Sequence, residues 1–128
     1  MAIDLEANIR EVHEVYVNDK ALDWDGTDWL TVEQFRQVCE PSILEYNDFV
    51  LEDVVSKLKP YEMQIELCFA RAGSPLLYIR SKNDDVLDSA LQSLCNSPVN
   101  QVNIVDANNC YSKKVKTYVG KVVEAWWD

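Results

Sequence analysis

Between residues 19 and 29 the chain sets four aspartates, Asp19, Asp23, Asp25 and Asp28, around two tryptophans, Trp24 and Trp29. Carboxylates at this density pair with lysine and arginine, and an indole brings a large area to bury. Together they suit recognition of a basic protein surface better than bond making. Glu11 and Glu14, on the segment just before, extend the same chemistry. These eight side chains are the expected partner-binding set.

Residues of other types offer less. His13 is the only histidine, and no serine or cysteine is tied to it by a local nucleophile motif. Cys39, Cys68, Cys95 and Cys110 are far apart, form no C-x-x-C pair, and are expected as reduced, mostly buried thiols. Only Cys110, with Lys113 and Lys114 close by, has neighbours that would favour a thiolate. The chain holds no G-x-S-x-G elbow, P-loop, dinucleotide-binding glycine pattern or H-E-x-x-H. No catalytic residue, cofactor or metal is therefore expected.

The stretch Asp23-Trp24-Asp25-Gly26-Thr27-Asp28 through Gln34 resembles an EF-hand calcium loop. Asp23, Asp25 and Thr27 fall at its first, third and fifth positions, and Leu30 at its apolar eighth. Where that family has glycine at the sixth position and a bidentate glutamate at the twelfth, this chain has Asp28 and Gln34. Those departures remove the sharp turn and a charged ligand, so an acidic surface loop is the expectation.

Charge narrows the partner further. The net charge is −10, and residues 1–64 carry fifteen acids against five bases, while residues 65–128 carry seven of each. An acidic surface repels nucleic acid and anionic membranes and attracts basic proteins. The terminal Trp126-Trp127 pair is a second possible contact, since two adjacent indoles on a helix cannot both face one core.

The elements that must hold these residues follow from periodicity. Apolar spacing predicts helices over 2–18, over 31–39 with Thr31 as N-cap and Gln34 completing a capping box, and over 48–59 before Pro60. Met63, Ile65, Leu67 and Phe69 alternate with polar residues as in a half-buried strand. Ala72-Gly73-Ser74-Pro75 then turns the chain into a returning strand, Leu76 to Arg80. Asn83 opens a helix that Asn96-Ser97-Pro98 ends, and Val99 to Val105 reads as a third strand. Val115, Val119, Val122 and Trp126 predict a last helix over 112–126 carrying Lys113, Lys114, Lys116 and Lys121; a strand at 113–119 is the rival, because Gly120 weakens a helix.

The expected architecture is a single α+β domain over 1–128: helices first, then β-β-α-β-α, with a small, mostly antiparallel sheet and helices on one face. The N-terminus lacks a signal-peptide layout and no apolar run spans a bilayer, which predicts a cytoplasmic protein without membrane contact. The functional expectation is an acidic inhibitor of a basic protein, in the manner of bacterial immunity or antitoxin proteins acting on nuclease toxins. An adaptor subunit of a larger assembly and a small enzyme with a scattered site are the alternatives. Oligomeric state is not legible in the sequence.

Overall fold

A computed structural model describes residues 3–18, 24–46, 48–70, 75–96 and 99–127. Helix α1 (Leu5–Tyr16) starts where the Asp4 carboxylate accepts the Ala7 N–H, an N-cap that satisfies one of the helix's free donors. Helix α2 (Val32–Cys39) opens on the predicted capping box: Thr31 Oγ1 accepts the Gln34 N–H, and Gln34 Oε1 accepts the Thr31 N–H. A short hairpin, β1 (Glu45–Tyr46) and β2 (Phe49–Val50), precedes α3 (Leu51–Leu58), which is therefore shorter than the predicted 48–59 helix. Pro60 sits in the 3₁₀ turn Lys59–Tyr61 that ends it.

The sheet holds β3 (Glu66–Ala70), β4 (Leu76–Arg80), β5 (Gln101–Asp106) and β6 (Lys121–Trp126) in the order β3-β4-β6-β5, antiparallel throughout. Helix α4 (Asp84–Leu94) links β4 to β5, with the Asn83 side chain accepting the Asp85 N–H as its cap. The α+β class and the small antiparallel sheet are those read from the sequence. The predicted turn residues 72–74, and Ser97-Pro98 after α4, lie outside the described residues. No helix among the described residues is long and apolar enough to cross a membrane.

Helices α1 to α4 cover one face of the sheet. Leu67, Phe69, Leu77, Ile79, Val123 and Ala125 point into them and join Val12, Phe35, Val54, Leu87 and Leu94 in the larger core. Phe69 is the hub: its ring lies 5.5–6.3 Å from those of Tyr16, Phe35, Phe49 and Trp24. Edge-on and tilted pairs of this kind add to the area they bury.

Two expectations are corrected. The β3 strand is not half-buried: Cys68 and Ala70, on its other face, are as inaccessible as Leu67 and Phe69, because a second cluster forms there. Met63, assigned to the strand's inner face, lies before β3 and is 91% exposed.

The second correction concerns the C-terminus. Residues 112–126 form neither one helix nor a strand at 113–119. They form a single helical turn, α5 (Lys113–Lys116), and then β6. Gly120 separates them at φ +145°, with the Tyr118 ring 3.2 Å from where a Cβ would stand, and Val119 is 96% exposed. Beyond it, Val122, Val123, Ala125 and Trp127 alternate across a strand buried on both faces. Apolar residues on both faces, interrupted only by the half-buried Glu124, suit such a strand. In it the adjacent indoles point to opposite faces: Trp127 is fully buried on the helix side, and Trp126 packs half-buried on the other. The last element of the predicted order is thus β, and α5 lies on the sheet face opposite α1–α4, where Val115 meets Cys68, Tyr78, Cys110 and Val122.

Residues 24–30 run along the outer edge of β3. Thr27 N–H bonds the Phe69 carbonyl at 2.9 Å, Thr27 Oγ1 accepts the Phe69 N–H, and Leu30 and Leu67 exchange both main-chain bonds at 2.7 Å. Gly26 makes this approach possible at φ +104°, where a Cβ would stand 3.1 Å from both Ala70 Cβ and the Phe69 carbonyl oxygen. Gly26→Ala is expected to cost about 2–3 kcal/mol, from left-handed backbone strain and overpacking. A urea midpoint unchanged from the parent chain would contradict this account.

Candidate functional site

The structure separates the residues that the sequence grouped. Trp24 packs on the helix-side core against Tyr16 and Phe69, while Trp29 packs on the opposite cluster beside Tyr118, so the two indoles form no common patch. Asp25 Oδ1 accepts the Lys113 N–H at 2.7 Å, and its carbonyl accepts the Ser112 hydroxyl at 2.6 Å. Asp28 Oδ2 accepts from Asn8 Nδ2, its N–H donates to Asn8 Oδ1, and Lys114 Nζ lies 3.5 Å from Oδ1. Both carboxylates thus tie α1 and α5 to the 24–30 segment. Asp19 and Asp23 lie outside the described residues. On α1, Glu11 is exposed, while Glu14 accepts from Asn18 Nδ2.

The loop that resembles an EF-hand is organised by protein donors. Asp25 and Asp28 are bonded as above, and Gln34 is committed to the capping box. Among the described residues no three His, Cys, Asp or Glu side chains converge as metal ligands would.

Acidity concentrates elsewhere. Contacts run α1 to α2, α2 to α3 and α3 to α4, with α2 against β3 and α4 against β5 and β6, so the four helices form one layer over the sheet. Their sequences carry nine acids and three bases. Glu6, Glu11, Glu52, Asp84, Asp85 and Asp88 are all exposed. Within the layer Arg36 bridges Glu33 and Glu40, and the Arg36 hydrogen bond holds the Glu33 carboxyl below the usual range. Across the sheet α5 has three lysines and no acid, with Lys121 following at the start of β6. The excess of acid therefore lies on the helical face, while on the opposite face the α5 lysines and Arg80 stand beside Asp25, Asp28 and Glu66. The three aspartates of α4, from the nominally balanced half, belong to the acidic face.

A groove that the sequence did not reveal lies at the end of the β3–β4 hairpin. About 780 Å³ of space is bounded by Met63, Ile65, Glu66, Arg80, Lys82 and Tyr118 among others. A shallower hollow of about 560 Å³ continues past Arg80 and Tyr118 to Trp29, Lys113 and Val119. Arg80 divides the two. Its Nε and Nη2 both donate to Glu66 Oε1, at 2.9 and 2.8 Å, and its guanidinium carbon stands 4.3 Å from the Trp29 ring centre and 5.3 Å from that of Tyr118. Stacking and the ion pair together fix an arginine on an open surface. Arginine, tryptophan, tyrosine and methionine are residue types enriched at protein interfaces. The residues of this groove are far apart in sequence, and only the cross-strand pairing of Glu66 with Arg80 could have been anticipated.

The nucleophile candidates are set for structure. Burial pushes the thiols of Cys39, Cys68 and Cys110 up, Cys68 to about 12 and Cys110 to about 11, with the Glu124 charge adding to the rise at Cys110. The lysines near Cys110 do not offset this, so the thiolate favoured by its sequence neighbours does not form at neutral pH. His13 Nδ1 lies 3.3 Å from Ser42 Oγ at the α1–α2 junction, a pair invisible in the sequence. That is long for a hydroxyl bond, and no carboxylate orients the ring among the described residues.

No family model, curated protein or solved structure matches this chain.

Two outcomes follow for the thiols. Among the described cysteines, Cys95 alone is exposed, so at pH 8 a thiol reagent is expected to label it quickly and Cys39, Cys68 and Cys110 only on unfolding. Mass mapping of the labelled peptides checks this, and fast labelling of Cys110 would contradict it. The raised folded-state values also fix the direction of a pH effect. Below the ordinary thiol value of 9.0 the folded and unfolded thiols are both protonated. Between about pH 9 and 11, unfolded thiols ionise while Cys68 and Cys110 stay protonated, so stability falls as pH rises. Replacing Cys68 by alanine is expected to flatten that decline in urea titrations across the same range.

Proposed function

We propose that this chain is an acidic binding protein without catalysis of its own, which neutralises a basic partner by direct contact in the immunity or antitoxin manner. The observation that carries the reading is the helical layer: nine acids against three bases on α1–α4, with Arg36 the one base there that is ion-paired among the described residues. A surface of this kind attracts a cationic protein at long range and speeds encounter by orders of magnitude at low salt. A nuclease toxin fits such a partner, since the face that would receive nucleic acid is basic. The interface then shifts from the aspartates of the 24–30 segment, which serve the fold, to Glu6, Glu11, Glu52, Asp84, Asp85 and Asp88.

One observation favours a second reading, an adaptor subunit. Among the described residues Met63 and Val119 are the two most exposed large apolar side chains, and both line the space divided by Arg80. An adaptor would dock there through apolar area, with little response to salt.

The immobilised chain, exposed to lysate of its source cells and eluted with a salt gradient, separates the two. A basic protein released at moderate salt is expected. Its association rate should fall at least tenfold between about 50 and 500 mM salt, as screening shortens the field. Reversal of Glu11 and Asp88, both exposed and mid-helix, to lysine should slow association by a further tenfold or more without lowering the thermal midpoint appreciably. A neutral partner that resists salt and ignores the reversal, but is lost in Met63→Asp, would instead establish the adaptor.

A further inference from the structure

The sheet treats its two edges differently. The outer edge of β3 is taken by residues 24–30, whereas β5 pairs with β6 and, among the described residues, has no strand on its other side. The β5–β6 ladder runs from Gln101↔Trp126 to Asp106↔Lys121, and the Ala107 N–H continues it to the Gly120 carbonyl at 3.0 Å. In an antiparallel ladder successive residues turn their main-chain groups alternately to one side and the other. Counting back from Ala107, the groups of Val105, Asn103 and Gln101 face β6, and those of Val102, Ile104 and Asp106 face outward. No loop or helix among the described residues bonds the outward N–H groups of Val102 and Ile104.

Folded proteins usually blunt such an edge with lysine, proline, a central bulge or a covering segment. The strand Gln-Val-Asn-Ile-Val-Asp has neither lysine nor proline, and its ladder to β6 is unbroken. Val102 and Ile104, only partly buried, rest against the helix-side core.

We propose that β5 is a strand-addition site, where an extended lysine- or arginine-bearing segment of the partner pairs its main chain with Val102 and Ile104 as a fifth strand. Main-chain pairing supplies affinity in this mode, and flanking side chains supply selectivity. The flanks are acidic. Helix α4 packs over β5 and exposes Asp84, Asp85 and Asp88, and Asp106 closes the strand. A second copy of this chain would set those aspartates against their own kind, with a net charge of −10 on each side. A basic segment meets opposite charge. That sign rests on the function proposed above; the strand pairing does not.

The test uses the whole ¹⁵N-labelled chain and an acetylated peptide, Lys-Val-Lys-Thr-Lys-Val-Lys-Thr, titrated to millimolar concentration. Amide exchange at Val102 and Ile104 should slow at least tenfold, while Asn103 and Val105, already bonded to β6, change little. Ile104→Pro removes an outward N–H without touching the β6 ladder, a replacement that edge strands tolerate. It should abolish the response. Should that variant fail to fold, the alternating exchange pattern of the parent chain decides alone. Shifts confined to α1–α4, with no protection at Val102 and Ile104, would overturn the edge site and leave the basic-partner reading standing. Equal protection by the glutamate analogue of the peptide would keep the edge and overturn the charge. No response to either peptide would overturn both.

Discussion

Thr27 and Phe69 hold each other by main chain and side chain at once, and much of the molecule is arranged around that contact. The Thr27 N–H and hydroxyl oxygen take both main-chain groups of Phe69, while the Phe69 ring gathers Tyr16, Trp24, Phe35 and Phe49. One residue pair thus pins an irregular segment to a strand, closes the edge of β3, and centres the contacts of α1, α2 and β2. Because Thr27 is fixed, Trp24 falls to one face of the sheet and Trp29 to the other. Asp25 and Asp28 then meet α5 and Asn8. Buried hydrogen bonds are costly to break, and here each belongs to a network joining distant segments.

A second constraint is topological. Strand β6, the last element, lies between β4 and β5, and β5 reaches the sheet only through it. The pairing is non-local, so the sheet closes only once the C-terminal strand has inserted. Its two buried faces explain the tryptophan pair: one indole fills the helix-side core, and the other rests beside Arg80's side of the molecule, on the smaller cluster with Trp29 and Tyr118. The same closure leaves β5 at the margin with outward main-chain groups.

These constraints leave one strongly acidic face, the helical one, and an opposite face of mixed charge. The helices bury their apolar stripes on the sheet and turn carboxylates outward, and the short α5 packs Val115 inward and turns lysines outward. Nothing in the packing demands so acidic a helical surface; an uncharged polar surface would solvate the helices as well. The excess sets up a negative field over the helical layer that reaches beyond the surface itself.

The sequence by itself determined α1, α2 and α4, the β3–β4 hairpin, the class and the sign of the charge, because each of these rests on local spacing. The capping box at Thr31 and Gln34, the cap at Asn83 and the alternation through Leu67 and Phe69 are local facts. So is the concentration of acids in residues 1–64. The tertiary structure alone decided which aspartates are taken up by contacts within the fold. Asp25 and Asp28 are engaged by Lys113 and Asn8, and no rule of spacing links these residues. It also decided the last element: Val115, Val119, Val122 and Trp126 fit a helical period, yet two-sided burial against β4 and β5 makes the stretch beyond Gly120 a strand. The groove at Arg80 and the open edge at β5 were hidden for the same reason. Each is made by pairings between strands, and such pairings are chosen by the energy of the whole core.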